Sequence, residues 1–174
     1  HLPDLFPAQR RIRDEDLPDP AEKLAILART IERLTEAGYV YIGMDHFALP
    51  DDELAVAQRE GLLHRNFQGY STHADCDLVA MGVTAIGSVD ATYSQNVREL
   101  DTYYAALDAG ELPVFRGYEL TDEDRLRRAV ITRIMCDFAL DFDWVEARFG
   151  LDFREHFADE LADLEEMAAD GLLE

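Results

Sequence analysis

Basic side chains are scarce in this sequence: 16 Lys and Arg stand against 37 Asp and Glu, for a formal charge of −21. A surface of that sign repels nucleic acid and anionic lipid, both of which need a basic face to release counterions. No local patch reverses the balance, since "RLRR" at 125–128 directly follows Asp122, Glu123 and Asp124. The acid excess serves solubility. Cysteine is nearly absent too, with only Cys76 and Cys136, sixty residues apart. That excludes a disulfide framework and a C-x-x-C pair, and points to a reducing compartment. Apolar runs long enough to span a bilayer are missing, each falling short of the roughly 18 residues required. The opening "HLPDLFPAQRRIRDED" has neither an initiator Met nor the apolar core of a signal peptide. The expected location is the cytoplasm.

What is present is a globular composition, 48% hydrophobic over 174 residues, enough to bury roughly 70% of the unfolded surface without staples. In "LPDPAEKLAILARTIERLTEAGY", Asp19 is a helix N-cap, Pro20 suits the first helical position and Gly38 ends the helix. Leu24, Leu27, Ile31 and Leu34 recur at helical spacing. "YVYIGMDHFAL" follows as a near-continuous apolar strand, of the kind buried on both faces. Helix then buried strand is half a unit of α/β architecture, so the chain is expected to start inside a larger parallel sheet or barrel. Pro50 to Asp52 punctuate before a helix through "ELAVAQRE" that Gly61 stops.

"DLVAMGVTAIGSVDATYSQN" reads as one or two strands with a turn near Asp90, and "VRELDTYYAALDAG" as a helix. "GVTAIGS" lacks the Lys of a phosphate loop. From Gly110 onward the pattern is helical. Thr121 with Asp124 forms a variant capping box, and Leu126, Val130, Ile134 and Phe138 mark a buried face. "DFDWVEARFG" is a short helix ending at Gly150. Asp152 and Glu155 open a last helix striped by Phe153, Phe157, Leu161 and Leu164 and stopped by Gly171. Three helices before "LLE" suggest a winged-helix-like module without its hairpin.

Several side chains invite a functional reading. His73-x-x-Cys76, with His64 or Asp77, offers metal donors, but no second close Cys/His pair completes a zinc spacing. Asp45-His46 falls at a strand end, where α/β folds place functional groups, with Asp45 as the orienting partner. Cys76 beside His73 has the parts of a nucleophile and its base without an oxyanion hole. Cys136 reads as a buried small hydrophobe. Phe67-Gln68 pairs an aromatic face with an amide, suited to a flat nitrogen-rich ligand. The small residues 80–87 would let such a ligand approach a strand backbone, with Ile86 as an apolar wall.

Three stretches carry a family resemblance. "AGYVYIGMDHFALPDDELAVAQREGLLHRNFQGYST" resembles the oxygen-independent coproporphyrinogen III oxidases, radical S-adenosylmethionine enzymes of haem synthesis. The likeness continues through "DLVAMGVTAIGSVDATYSQN" into "RGYELTDEDRLRRAVI". "IGMDHFA" and "HRNFQGY" separate this group from its radical S-adenosylmethionine relatives in haem handling.

The resemblance implies oxidative decarboxylation of two propionates of coproporphyrinogen III to vinyls, giving protoporphyrinogen IX. It also implies S-adenosylmethionine and a [4Fe–4S] cluster held by a C-x3-C-x2-C motif. That motif is absent from this chain, and the residues for the first S-adenosylmethionine are expected upstream of His1. The chain is therefore expected to be a C-terminal fragment, inactive alone. The expected fold is α/β: residues 1–50 as the last helix–strand unit of a partial (β/α) barrel, 51–109 as a sheet extension with linker helices, and 110–174 as a truncated, mainly helical, winged-helix-like domain. A second S-adenosylmethionine site of the family matches Phe67, Gln68 and Ile86. The competing expectation is a non-catalytic haem- or porphyrin-handling module.

Overall fold

A computed structural model describes residue 4, residues 7–74 and residues 76–173. The chain divides into two compact units, His1–Val56 and Ala57–Glu174.

In the first unit, 3-10 turns at Pro7–Arg11 and Asp14–Asp16 precede helix α1, Pro20–Glu36. The Asp19 side chain accepts from the Glu22 amide at 2.8 Å, satisfying one of the orphan donors that every helix start presents. Gly38 leaves the helix at φ 92°, a conformation open to glycine at little cost. No α1 residue is buried, and Leu24 and Leu27 are exposed. Strand β1, Val40–Gly43, buries Ile42 and Gly43 while Val40 and Tyr41 stay half-buried. Its partner among the described residues is β2, His46–Ala48, antiparallel, with Val40 opposite Ala48 and Tyr41 opposite Phe47. Here the expectation of a strand covered on both faces fails. The apolar run "YVYIGMDHFAL" is two short strands folded back at Met44-Asp45, and Met44 takes φ 52° to make the turn. Continuous hydrophobicity does not distinguish one long buried strand from a hairpin when the turn lacks Gly or Pro at its tip.

Helix α2, Glu53–Arg59, begins where the Asp52 side chain accepts from the Leu54 amide at 2.9 Å. In the second unit, β3, His64–Asn66, pairs antiparallel with β4, Gly69–Ser71, across a two-residue turn formed by Phe67 and Gln68. Asn66 Oδ1 accepts from the Gln68 amide at 2.8 Å, the local bond by which asparagine mimics a backbone turn. A three-stranded antiparallel sheet follows in the order β5, β6, β7: Ile86–Val89, Thr92–Asn96 and Val114–Glu119. Asp90, at φ 48°, makes the β5–β6 turn, and α3, Leu100–Asp108, spans the gap to β7.

Among the small residues 80–87, Gly87 in β5 has a close neighbour within the chain. At Gly87 an added Cβ would lie 3.0 Å from the Leu78 carbonyl oxygen, because Leu78 and Ser88 bridge as antiparallel partners. The close approach at this glycine is by the chain's own backbone. Asn96, buried, donates from Nδ2 to the Gly82 carbonyl at 2.9 Å and fixes the same loop.

Helices α4 (Asp122–Asp137), α5 (Phe142–Phe149), α6 (Phe153–His156) and α7 (Ala158–Ala169) complete the chain. Their core is Leu126, Val130, Val145, Phe153 and Phe157. Phe142 stacks on Phe153 with centroids 4.1 Å apart. The Thr121–Asp124 capping box forms in full. The expected α4 face is right for Leu126 and Val130 but not for its end: Ile134 and Phe138 are exposed, Phe138 being the left-handed C-cap at φ 54°. Cys136 is buried instead, and burial pushes its thiol above the ordinary range. The single last helix expected from Asp152 is broken at Phe157, whose φ −106°, ψ 30° turns α6 into α7.

Candidate functional site

Helix α4 holds the β3–β4 hairpin from behind. Arg133 donates through Nη1 to the Gly61 carbonyl and through Nη2 to the Leu63 carbonyl, both at 2.9 Å, and pairs with Asp137 at 2.9 Å. The Tyr70 hydroxyl donates to the Met135 carbonyl at 3.2 Å, and Arg65 lies 5.0 Å over the Tyr70 ring. The turn at the hairpin tip is thus carried on a fixed base, although Phe67 itself is 59% exposed.

Phe67 meets the sheet edge-on, its ring 5.2 Å from that of Tyr93 at 83°. Tyr93 lies opposite Ser88 and Tyr118, and Gln95 lies opposite Ile86 and Arg116. Paired residues and residues two apart share a face. Ile86, Tyr93, Gln95, Arg116 and Tyr118 therefore stand on the side that Phe67 reaches. Gln95 accepts from Arg116 Nε at 2.9 Å and donates to the Thr84 carbonyl at 3.2 Å, which fixes its amide. Arg128 of α4 donates to the Tyr93 hydroxyl at 3.4 Å and sits 6.0 Å over its ring. The result is an open aromatic and amide wall rimmed by two guanidinium groups.

At the far end, the Tyr118 hydroxyl donates to Asp124 at 2.9 Å. Asp124 also accepts from the Thr121 hydroxyl and amide. These bonds, the Thr121 hydroxyl first, hold the Asp124 carboxyl below its usual range, while its partner Tyr118 is raised. A depressed carboxyl stabilises the fold above its unfolded value and loses that contribution as pH falls through the folded one. The thermal midpoint of the chain is expected to decline as pH drops below about 4. Asp124→Asn should flatten that part of the profile and lower the midpoint at neutral pH. A variant profile parallel to the parent through this window would exclude Asp124 as a source of the acid sensitivity.

Of the sequence-derived site residues, the fold gathers Phe67 and Ile86 around one sheet face, with Gln68 exposed in the adjoining turn. The residues missed are Tyr93, Gln95, Arg116 and Arg128. Strand β7 was not foreseen, so nothing in the sequence set Arg116 beside Gln95. Asp45 pairs with His46 Nδ1 at 2.8 Å as expected, but in the first unit. His73 Nδ1 lies 3.3 Å from the Thr72 hydroxyl, His64 sits on β3, and Cys76 is exposed. Among the described residues no three His, Cys, Asp or Glu side chains converge. A separate cavity of about 500 Å³ lies by Gly61, Arg133, Asp137, Ala139, Asp141 and Trp144. No residue of the sheet wall lines it.

Three comparisons decide the relationship. Residues 120–174 match the family described as the HemN C-terminal domain. The oxygen-independent coproporphyrinogen III oxidase of Pseudomonas aeruginosa is 55% identical over 99% of this chain, and that of Escherichia coli is 52% identical over 100% of this chain. The chain is similar, over nearly its whole length, to one part of the oxygen-independent coproporphyrinogen III oxidases. It spans 38% of the length of each of these relatives. The solved E. coli coproporphyrinogen III oxidase, described as a radical SAM enzyme, superposes with a TM-score of 0.93 at 53% identity, covering 99% of this chain and 40% of that one. The expected kinship and the mixed helix and sheet architecture hold.

An iron–sulfur cluster does not fit the donors present. Its cysteine ligands need three thiolates at close spacing, and this chain has one exposed thiol and one buried thiol sixty residues away. Among the described residues no helix is long and apolar enough to cross a membrane.

Proposed function

We propose that this chain is the part of a cytoplasmic oxygen-independent coproporphyrinogen III oxidase that forms one wall of the second S-adenosylmethionine pocket. The whole protein would oxidatively decarboxylate two propionates of coproporphyrinogen III to vinyls in haem synthesis, with its [4Fe–4S] cluster bound outside these 174 residues. In that reading residues 1–50 are the edge of the barrel, 51–109 the sheet extension and 110–174 the helical domain. The chain alone is inactive.

The observation that carries the reading is the Phe67–Gln68 turn, anchored by Arg133 and Tyr70 and standing against the face that bears Ile86. An exposed ring and an exposed amide suit an adenine: the ring offers a stacking surface, and the amide can both donate to and accept from the base edge. With only one wall present, ordering costs are met by few contacts, so affinity is weak, on the order of millimolar.

Equilibrium dialysis against labelled S-adenosylmethionine tests this. Parent chain is expected to bind, and Phe67→Ala to bind about ten-fold more weakly, the usual loss when a base loses its stacking partner. Equal binding by both would remove Phe67 from the site. Coproporphyrin binding without any binding of S-adenosylmethionine would instead favour a porphyrin-handling module.

A further inference from the structure

We propose that Arg116 and Arg128 form a carboxylate-binding subsite at the rim of the Phe67–Tyr93 wall, taking the aliphatic carboxylate arm of the ligand seated there. The proposal rests on the reading of that wall as a ligand face. In a chain of net charge −21, an arginine beside a helix rich in acid is expected to find a carboxylate. Arg127, on the same helix as Arg128, finds two, Glu123 and Glu160. Arg128 follows Asp124 by four residues, the spacing at which a helical ion pair forms. It turns instead to the Tyr93 hydroxyl, because the Asp124 carboxylate already accepts from Tyr118 and from the Thr121 cap.

Arg116 is likewise without an acidic partner among the described residues. Its Nε is committed to Gln95, which orients the guanidinium and leaves both terminal nitrogens to donate. Arg116 lies diagonally across the strand pair from Tyr93, roughly 7–8 Å between backbones, and Arg128 lies at the Tyr93 phenol. Both guanidinium groups are thus tethered to neighbouring residues of one strand face by neutral partners, with their charge uncompensated. A planar fork with free terminal donors matches the two oxygens of a carboxylate. Two sources share that chemistry: the aminoacyl carboxylate of S-adenosylmethionine and a propionate of a tetrapyrrole.

The test uses the 174-residue chain, its Arg116→Gln/Arg128→Gln double variant, the matching double Lys variant, and Phe67→Ala. Each is titrated by calorimetry and fluorescence with S-adenosylmethionine, with methylthioadenosine (which lacks the carboxylate) and with coproporphyrin III. Both arginines are exposed, and near-ultraviolet circular dichroism checks that the variants keep the parent fold. The expected result is a loss of about ten-fold or more in the double Gln variant for one carboxylate ligand, with methylthioadenosine unchanged. The ligand that loses affinity identifies the source. The double Lys variant should recover part of the loss, since charge remains and the fork does not.

Three results would overturn the subsite. In one, the double Gln variant binds every ligand like the parent while Phe67→Ala weakens them, so the wall stands and the rim does nothing. In another, methylthioadenosine weakens as much as S-adenosylmethionine, showing that the arginines only brace the wall. Absence of any binding by the parent chain would remove wall and rim together.

Discussion

Phe153→Ala is expected to cost about 3–5 kcal/mol of folding stability, the range for truncating a large buried aromatic. The reason is its place in a small core. Phe153 is 3% exposed and belongs to a cluster of five buried side chains from α4, α5, α6 and the α6–α7 junction. Its ring stacks on Phe142 and lies 4.7 Å from Phe157, so its removal opens a space bordered by rings that cannot collapse without breaking their own contacts. Its backbone matters as well. The Phe153 amide donates to Glu146 Oε1 at 2.9 Å, tying the start of α6 to α5. The substitution leaves that bond in place and so isolates the side-chain contribution. Phe138→Ala is the control of equal chemistry: at 61% exposure it should shift stability by less than about 0.5 kcal/mol. Urea titrations followed through the single tryptophan, Trp144, report on both. A Phe153→Ala loss below about 1 kcal/mol would mean that the helices do not share one core.

The helical part was legible because each signal is local. Caps at Asp19, Thr121 and Asp152 are all made by the side chains that the sequence offers for them. Helix ends were less so. Phe138 and Phe157 continue an apolar spacing, but one leaves the helix in a left-handed cap and the other breaks it. Neither conformation is encoded by hydrophobic period. The sheet was half legible. Asp90 marked the β5–β6 turn, whereas β7, "VFRGYE", is exposed throughout and has no buried alternation to betray it. That miss hid the site's rim, since Arg116 gains its neighbour Gln95 only through the β6–β7 register. Phe67, Gln68 and Ile86 stood out by residue type as a wall for a flat ligand, and the family resemblance named that ligand. Their residue types alone also fitted a loop.

Arg133→Gln carries the second large effect, expected at about 2–4 kcal/mol, and it links stability to the proposed ligand wall. Arg133 satisfies two backbone carbonyls, at Gly61 and Leu63, and neutralises Asp137. Both charged side chains are about three-quarters covered. Removing the guanidinium strands two acceptors and leaves a largely desolvated carboxylate, whose second oxygen already lacks a partner among the described residues. Unmade bonds of this kind cost more than made ones contribute. Arg133→Gln/Asp137→Asn should recover part of the loss, because the orphaned charge goes with its partner. The Gly61 and Leu63 carbonyls lead into β3, so the same change frees the base of the Phe67–Gln68 turn. Arg133 touches no residue of the wall, yet the variant should weaken S-adenosylmethionine binding even where the fold is fully populated. Hydrogen exchange of the β3–β4 amides should accelerate while that of the α5–α6 amides keeps pace with global stability. If exchange rises uniformly and ligand affinity is unchanged, Arg133 is only a strut of the fold, and the hairpin tip holds its position through the Tyr70–Met135 bond and the Phe67–Tyr93 contact.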